Sequence, residues 1–512
     1  MRVENSIKIA KAGIIYQIVT TILGFVNRVV FIKYLGSDYL GFSGLFTSIL
    51  SMLSLAELGL GGAIVYNLYK PIAEQDEVKI VAFIRFYKKI YFGLAVFIFC
   101  IGMVFLPFIH IFIGDLDRLS FSLNYIRFIY FLSLLETVSS YLLVYKTTLL
   151  VVSQREYIIT NINNISNILL TVVRLLFLIV YQNYVVYLVL GMIFRIGGNY
   201  VASRYAVKKF PYLTDEKYKN VRITKKDRDS LLSNAGNLSV HTLSSYVVNS
   251  TDSLIISTFV GITELGLFSN YNLIFSTIKS LIGSVVGSIQ APLGDLVVTG
   301  NKVRVKEVVN LTTHAFYLVA SFCAISLAVL SSLFIEIVFG KEFLMGTDII
   351  LVCSINTFVW TMTRPIWKLS SVTGLFKDDR KNAVIEAGVN AVISVIAVQF
   401  LGITGTFIGT LCSYVVAFVC KTKLQYSQYF MESSCEYLWK IVKYSGLFIL
   451  ELIVVCIVCE KINVIISSLY VKFILNCWVC LIIPNVMNYI VFLKTEVNKY
   501  CIDLLKNKIL KR

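Results

Sequence analysis

Charge is scarce in this chain: only 15% of its 512 residues are Asp, Glu, Lys or Arg, against roughly 25% in soluble proteins. With 57% hydrophobic residues and a mean hydropathy of +0.77, that scarcity excludes an ordinary water-soluble domain. Proline is scarce too, with 6 in all, so little interrupts the apolar runs. Those runs suit helices, because about 20 apolar residues span a bilayer. The short alternating segments of a spanning β-barrel do not occur. Histidine numbers 3, and no Ser-His-Asp or metal-ligand grouping survives inspection. The glycine run "GLGGA" (59–63) follows no strand and lacks the Lys-Ser/Thr ending of a phosphate loop. Neither ATPase nor hydrolase chemistry is expected; the chain reads as a transporter and not an enzyme, with no resident cofactor.

Two Cys-x-x-Cys pairs, Cys456/Cys459 and Cys477/Cys480, match a zinc-ribbon spacing. Their flanks, "LIVVCIVCEKI" and "ILNCWVCLIIP", are membrane-helix sequence, where thiolates and tight turns are disfavoured. They are read as small apolar residues between helices. The net charge of +17 could indicate nucleic acid. The basic residues fall in the gaps between apolar runs, however, so they are read as cytoplasmic loops and no nucleic-acid partner is expected. Glu4, and no small-residue cleavage site after the first apolar stretch, make that stretch a first membrane helix and not a removed signal peptide.

The expected fold is an all-α integral membrane protein with about fourteen transmembrane helices. Six segments lie at roughly 12–34, 41–66, 90–113, 125–149, 159–181 and 184–205, within an N-terminal lobe, 1–207. A basic linker, 208–229, carries the longest polar stretch. Six more segments, roughly 230–260, 264–292, 312–339, 348–373, 383–402 and 404–422, form a C-terminal lobe, 230–422. The remainder, 423–512, holds two last helices, about 440–460 and 466–493, and a basic tail. With both termini in the cytoplasm, the inside receives Lys70, Lys79, Arg85, Lys88, Lys89, the 208–228 cluster, Lys302, Arg304, Lys421, Lys423 and the tail. The outside receives little beyond Lys33, Arg118, Lys341 and Lys461. The reverse orientation would break the positive-inside rule in nearly every loop.

An internal repeat relates the lobes. "FIKYLGSDYLGF" (31–42) matches "ISTFVGITELGL" (256–267), "PFIHIFIGD" (107–115) matches "LFIEIVFGK" (333–341), and "NISNILLTVV" (164–173) resembles "AGVNAVISVI" (387–396). The shift is about 225 residues each time. Lobes repeated in this way are a transporter architecture, with substrate bound between the halves.

The stretch "NRVVFIKYLGSDYLGFSGLFTSILSMLSLAELGLGGAIVYNLYKPIAEQD" (27–76) resembles the opening of bacterial polysaccharide flippases, the Wzx-type members of the MOP superfamily. "DSLIISTFVGITELGLFSNYNLIFSTI" (252–278) and "GITGTFIGTLCSY" (402–414) also fit their pattern. The resemblance implies movement of an undecaprenyl-diphosphate-linked oligosaccharide from the inner to the outer leaflet of a bacterial cytoplasmic membrane. The product would serve capsule, O-antigen or other surface polysaccharide. Candidate partners are membrane lipids and a polysaccharide polymerase or glycosyltransferases. Two alternatives stay open: an ion-coupled multidrug or metabolite antiporter of the same superfamily, and a membrane-embedded glycosyltransferase or polymerase. The second needs sizeable outer loops, and those here are about 5–13 residues long.

Ionisable side chains inside spanning segments cost about 2.5–3.5 kcal/mol each on insertion scales and mark pathways by default. Most here are cations: Arg28, Arg174, Arg195, Lys279, Arg364 and Lys368. They are expected to line a basic substrate cavity, since a diphosphate needs positive charge and Arg presents a planar fork to it. The competing readings are snorkelling for Arg28, and for Arg364 and Lys368 a structural pairing with Glu136 or backbone carbonyls. Arg127 and Lys146 lie near helix ends and are read as snorkelling. Three carboxylates, Glu57, Glu136 and Asp252, are candidates for proton or sodium coupling or for gating. Asp252 lies one position from the repeat equivalent of Arg28, which suggests an ion-paired outer gate. His241 is read as a helix-packing residue.

Overall fold

The computed structural model of the chain describes residues 2–54, 60–153, 155–213, 215–218, 221–225, 227–229, 231 and 250–493. Glu57, His241 and the basic tail lie outside the described residues, as does most of the expected seventh segment. The described chain is helical, with no strand among those residues. It forms two compact units, Met1–Gly266 and Leu267–Arg512. Unit 1 contains α1 (Arg2–Leu35), α2 (Asp38–Leu53), α3 (Leu60–Ala73), α4 (Glu77–Phe105), α5 (Leu123–Ser139), the short α6 (Thr148–Val152), α7 (Glu156–Tyr181) and α8 (Tyr184–Lys209). It also holds the first turn of α9 (Ile262–Val298). Unit 2 contains the rest of α9, α10 (Lys302–Val338), α11 (Thr347–Thr373), α12 (Phe376–Leu401), α13 (Ile403–Leu424), α14 (Cys435–Ile465) and α15 (Leu469–Phe492).

Among the described residues, ten helical stretches are long and apolar enough to cross a membrane, or eleven if α1 and α2, bent by 118° at Gly36, make one span. The chain is therefore a multi-pass membrane protein. The number is below the expected fourteen for three reasons, the first being that α1 and α2 together count as at most one span. The seventh segment falls largely on 232–249, outside the described residues. Asp378–Phe430 also counts as one stretch of 53 residues. At 1.5 Å per residue it would run about 80 Å, far beyond a hydrocarbon core of ~30 Å. The chain instead folds back at Gly402, whose φ of 56° ends α12.

Helix boundaries depart from the hydropathy pattern where a polar turn precedes the apolar run. α4 starts at Glu77 and not near 90, because Asp76 accepts the Lys79 N–H at 3.0 Å and caps it. α10 starts at Lys302 and not near 312, with Asn301 accepting the Arg304 N–H at 3.0 Å. Capping oxygens set a helix start, whereas hydropathy reports only where lipid begins. The segment expected at 125–149 ends as α-helix at Ser139 and continues through turns to α6.

The glycines that carried the repeat are sites of close backbone approach. A Cβ at Gly41 would collide with the Ile262 carbonyl, one at Gly114 with the Thr258 carbonyl, and one at Gly266 with the Ser37 carbonyl. Within unit 1 the stretch 256–266 thus packs directly against both 31–42 and 107–115. Asp115 completes that packing: its carboxylate accepts the N–H groups of Ile262 at 2.8 Å and Thr263 at 3.3 Å at the start of α9. Thr263 Oγ1 donates to Asp38 at 3.1 Å.

In unit 2, "GITGTFIGTL" gives α13 a face of small residues against α12. A Cβ at Gly405 would meet the Ala397 carbonyl, and one at Gly409 would meet Ser394. Ser394 Oγ donates to the Thr406 carbonyl at 3.0 Å, and Asn390 donates to Thr410 at 3.1 Å. Small residues and interhelical hydrogen bonds are what hold helices together in lipid. Gly409→Leu is expected to destabilise the protein by at least about 1–3 kcal/mol, the usual cost of overpacking. Thermal unfolding in detergent checks this, with Gly388→Leu, at a glycine facing open space, as the near-neutral control.

Candidate functional site: two clusters of cations on aromatic rings

In unit 1 the cluster centres on Tyr187 of α8. The guanidinium of Arg174 of α7 lies over its ring, 3.9 Å from the centroid, and donates from Nε to the Tyr187 carbonyl at 3.1 Å. Asn27 of α1 donates to the Tyr187 hydroxyl at 3.2 Å, and Arg28 lies within electrostatic reach of it. Glu136 of α5 pairs with Arg195 of α8 at 3.6 Å. Gly191 makes the room: a Cβ there would run into the Arg174 guanidinium and come within 3.0 Å of Glu136 Oε1. The sequence-selected Arg28, Arg174, Arg195 and Glu136 therefore converge. Asp252, also in unit 1, is half-buried in the helical stretch 250–259.

In unit 2 the cluster is built on α11. Arg364 and Lys368 are one turn apart and share a face. Arg364 Nε donates to the Trp360 carbonyl at 2.9 Å, and Nη2 donates to Thr363 Oγ1 at 2.8 Å. Its guanidinium sits 4.5 Å from the Trp360 ring and 5.2 Å from the Trp367 ring. Lys368 donates to the neutral amide of Gln290 on α9 at 2.8 Å. The ammonium of Lys279 of α9 lies 6.0 Å from the Trp360 ring centroid. Neither Arg364 nor Lys368 makes an ion pair among the described residues. Aromatic faces and neutral amides hold a cation in place without neutralising it, so the cluster presents net positive charge. Pro365 lies between the two cations, and α11 continues through it to Thr373.

Two features were not legible as site elements. Lys421, assigned from sequence to the inside end of the 404–422 segment, is buried and ion-paired with buried Asp379 of α12, its ammonium 5.1 Å from the Trp367 ring. Glu386 of α12 is within electrostatic reach of both Lys421 and Arg364. Glu451 of α14 is fully buried and accepts the Tyr317 hydroxyl of α10 at 3.1 Å, with Ser321 and Asn488 facing the same carboxylate. The tryptophans that organise the unit 2 cluster gave one sequence signal, their spacing of four and three residues from Arg364, whereas Tyr187 of the unit 1 cluster has no membrane cation at such a spacing. Arg127 donates to the Pro107 carbonyl at 3.2 Å near the end of α4.

A family model described as "Polysaccharide biosynthesis protein" matches residues 11–292, more than half of the chain. No curated protein matches significantly. Among solved structures, the lipid II flippase MurJ in an inward closed conformation is similar over 93% of this chain and 98% of its own, at 14% identity and a TM-score of 0.66. A multidrug resistance MATE family transporter of the MOP superfamily, inward-facing, is similar over 83% of this chain and 95% of its own, at 12% identity and a TM-score of 0.61. A mutant of the Vibrio cholerae MATE transporter VcmN covers 81% and 95%, at 12% identity and a TM-score of 0.55.

Proposed function

Because this chain belongs to the polysaccharide biosynthesis protein family, a group of MOP-type transporters in fold, we propose that it flips an undecaprenyl-diphosphate-linked oligosaccharide from the inner to the outer leaflet of a bacterial cytoplasmic membrane. One observation carries the substrate class: Arg364 and Lys368 are held by tryptophan rings, a hydroxyl and a neutral amide, with no ion pair of their own among the described residues. A cation exporter needs the opposite, a carboxylate facing its substrate. A diphosphate headgroup is anionic and hydrated, and charge-assisted hydrogen bonds to Arg suit it. The cations Arg28, Arg174 and Arg195 of unit 1, and Lys279, Arg364 and Lys368 of unit 2, then take successive contacts with the headgroup during alternating access. Both termini lie in the cytoplasm in this reading, and the lipid tail stays in the bilayer. Glu136, Asp252 and Glu57 are the groups through which proton or sodium coupling would act.

The direct test uses a deletion strain. Lipid-linked oligosaccharides are expected to accumulate facing the cytoplasm, protected from a membrane-impermeant sugar-modifying reagent in intact spheroplasts. A wild-type copy restores labelling and Arg28→Ala does not. Normal labelling in the deletion strain would argue against the substrate, and sensitivity to cationic drugs would then favour the antiporter reading that the MATE-like fold keeps open.

The gating role of Asp252 makes a separate expectation. Arg28→Asp and Asp252→Arg should each abolish transport, and the double swap should recover a measurable part of it. No recovery would remove the ion-pair gate while leaving the flippase reading intact.

A further inference from the structure

Away from both clusters, unit 1 contains a cavity of about 1220 Å³ where α4, the turn 144–146 and the linker after α8 meet. Its charge is of one sign. α4 contributes Arg85, Lys88 and Lys89, the turn contributes Lys146, and the linker contributes Arg222, Lys225 and Arg228. Among the described residues no Asp or Glu lines it. Arg228 pairs with Asp229 at 3.1 Å, a residue outside the cavity wall.

The acids nearby are engaged elsewhere. Asp76 caps α4 and pairs with Lys79 at 3.8 Å. Glu77 accepts the Tyr218 hydroxyl at 2.7 Å, which raises the Tyr218 pKa. Tyr212 is pushed up to about 12 by burial and by the charge of Glu77. These contacts fasten the linker to the start of α4 and take the carboxylates away from the concavity. Asp227 is bonded to Thr224 at 2.7 Å.

The floor of the cavity is apolar. Val81, Arg85, Lys88 and Phe92 follow one face of α4, so the cations stand between two hydrophobic residues on the same stripe. Val221 and Ile223 of the linker alternate with Arg222. A free polyanion has no use for such a floor, whereas a phosphorylated amphiphile matches both parts. Basic pockets at the inner ends of membrane helices are suited to anionic lipid headgroups.

The geometry points to a binding site for the phosphate headgroup of an inner-leaflet lipid, walled on one side by the linker. The headgroup has two sources with the same chemistry: bulk anionic phospholipid, and the diphosphate of a lipid-linked substrate waiting to enter. The second source and the inner-leaflet side rest on the reading proposed above; binding of a lipid phosphate at this site does not.

The test therefore measures binding without transport. Full-length protein is placed in nanodiscs of zwitterionic lipid, and the rate of tryptic cleavage within 221–228 is followed by mass spectrometry. Adding anionic phospholipid to the bilayer, or inorganic pyrophosphate to the solution, is expected to slow cleavage about tenfold. The protection should fade on raising salt from about 0.1 M to about 1 M, where screening shortens to ~3 Å. Lys88→Gln with Lys89→Gln, which leaves the linker's cleavage sites intact, should lose the protection. Lys88→Arg with Lys89→Arg should keep it, which separates lost charge from a misfolded α4. Protection by phospholipid alone assigns the site to bulk lipid, and protection by pyrophosphate as well assigns it to a diphosphate. Unchanged cleavage with both ligands, or equal protection in the glutamine variant, overturns the site. Either result leaves the flippase assay in spheroplasts unaffected, so the two readings fail separately.

Discussion

Replacing Arg364 and Lys368 together by glutamine is expected to lower transport of lipid-linked oligosaccharide by at least about 100-fold, because hydrogen bonds to charged groups contribute roughly 1.5–3 kcal/mol each. The melting temperature should move little. The reasoning is an inventory of donors. Of the five N–H groups of a guanidinium, Arg364 commits Nε to the Trp360 carbonyl and one Nη2 hydrogen to Thr363. The remaining edge has no hydrogen bond among the described residues and is fixed in orientation by two indole rings. Lys368 binds only a neutral amide. Neither side chain supports a partner whose loss would unfold the helix. Arg364→Lys tests the geometry separately: it keeps the charge, removes the fork and should lose most of the activity. The measurement is flipping in proteoliposomes alongside thermal unfolding. If the double variant instead melted early and any folded fraction transported normally, the cluster would be structural and the substrate argument would fall.

That cluster shows what a sequence displays and what it hides. Arg364 and Lys368 were visible because charge is rare in a membrane helix, and their shared face follows from their spacing. Arg174, Arg195 and Glu136 were visible for the same reason, and three-dimensional packing brings them to one place over Gly191. The repeat glycines were visible as small-residue motifs, and the structure supplies the cause, a backbone carbonyl, which for Gly41 and Gly266 comes from the matching segment of the other repeat. The burial of Lys421 was hidden because the positive-inside rule reads position along the chain, not direction around a helix. Lys421 lies two residues from exposed Lys423, yet it points inward to Asp379. Tyr317 and Glu451 are 134 residues apart, a separation that no local pattern spans. The starts of α4 and α10 were hidden because a polar first turn looks like a loop until its cap is seen.

The largest stability effect is expected at that buried pair. Lys421 and Asp379 are both almost wholly inaccessible and bonded to each other. Lys421→Met would leave the Asp379 carboxylate buried without its cation, a change that costs about 3–5 kcal/mol. Asp379→Leu with Lys421→Met removes both charges, and such replacements are often neutral or stabilising. The double variant should therefore be more stable than the Lys421→Met single. Lys423→Met, at the exposed neighbour, should barely change stability. Thermal or denaturant unfolding in detergent gives the order directly. A double variant as unstable as the single would mean that the pair is net attractive and belongs to the structural core of unit 2. A stable double variant with lost transport would carry a different meaning. Lys421 sits 5.1 Å from Trp367, whose ring also meets Arg364. With the ion pair gone, Trp367 loses its second cation and the orientation of Arg364 loses a support. The pair would then be a positioning element for the anion site, and the loss should appear as a raised KM that Asp379→Glu, which keeps the charge, does not reproduce.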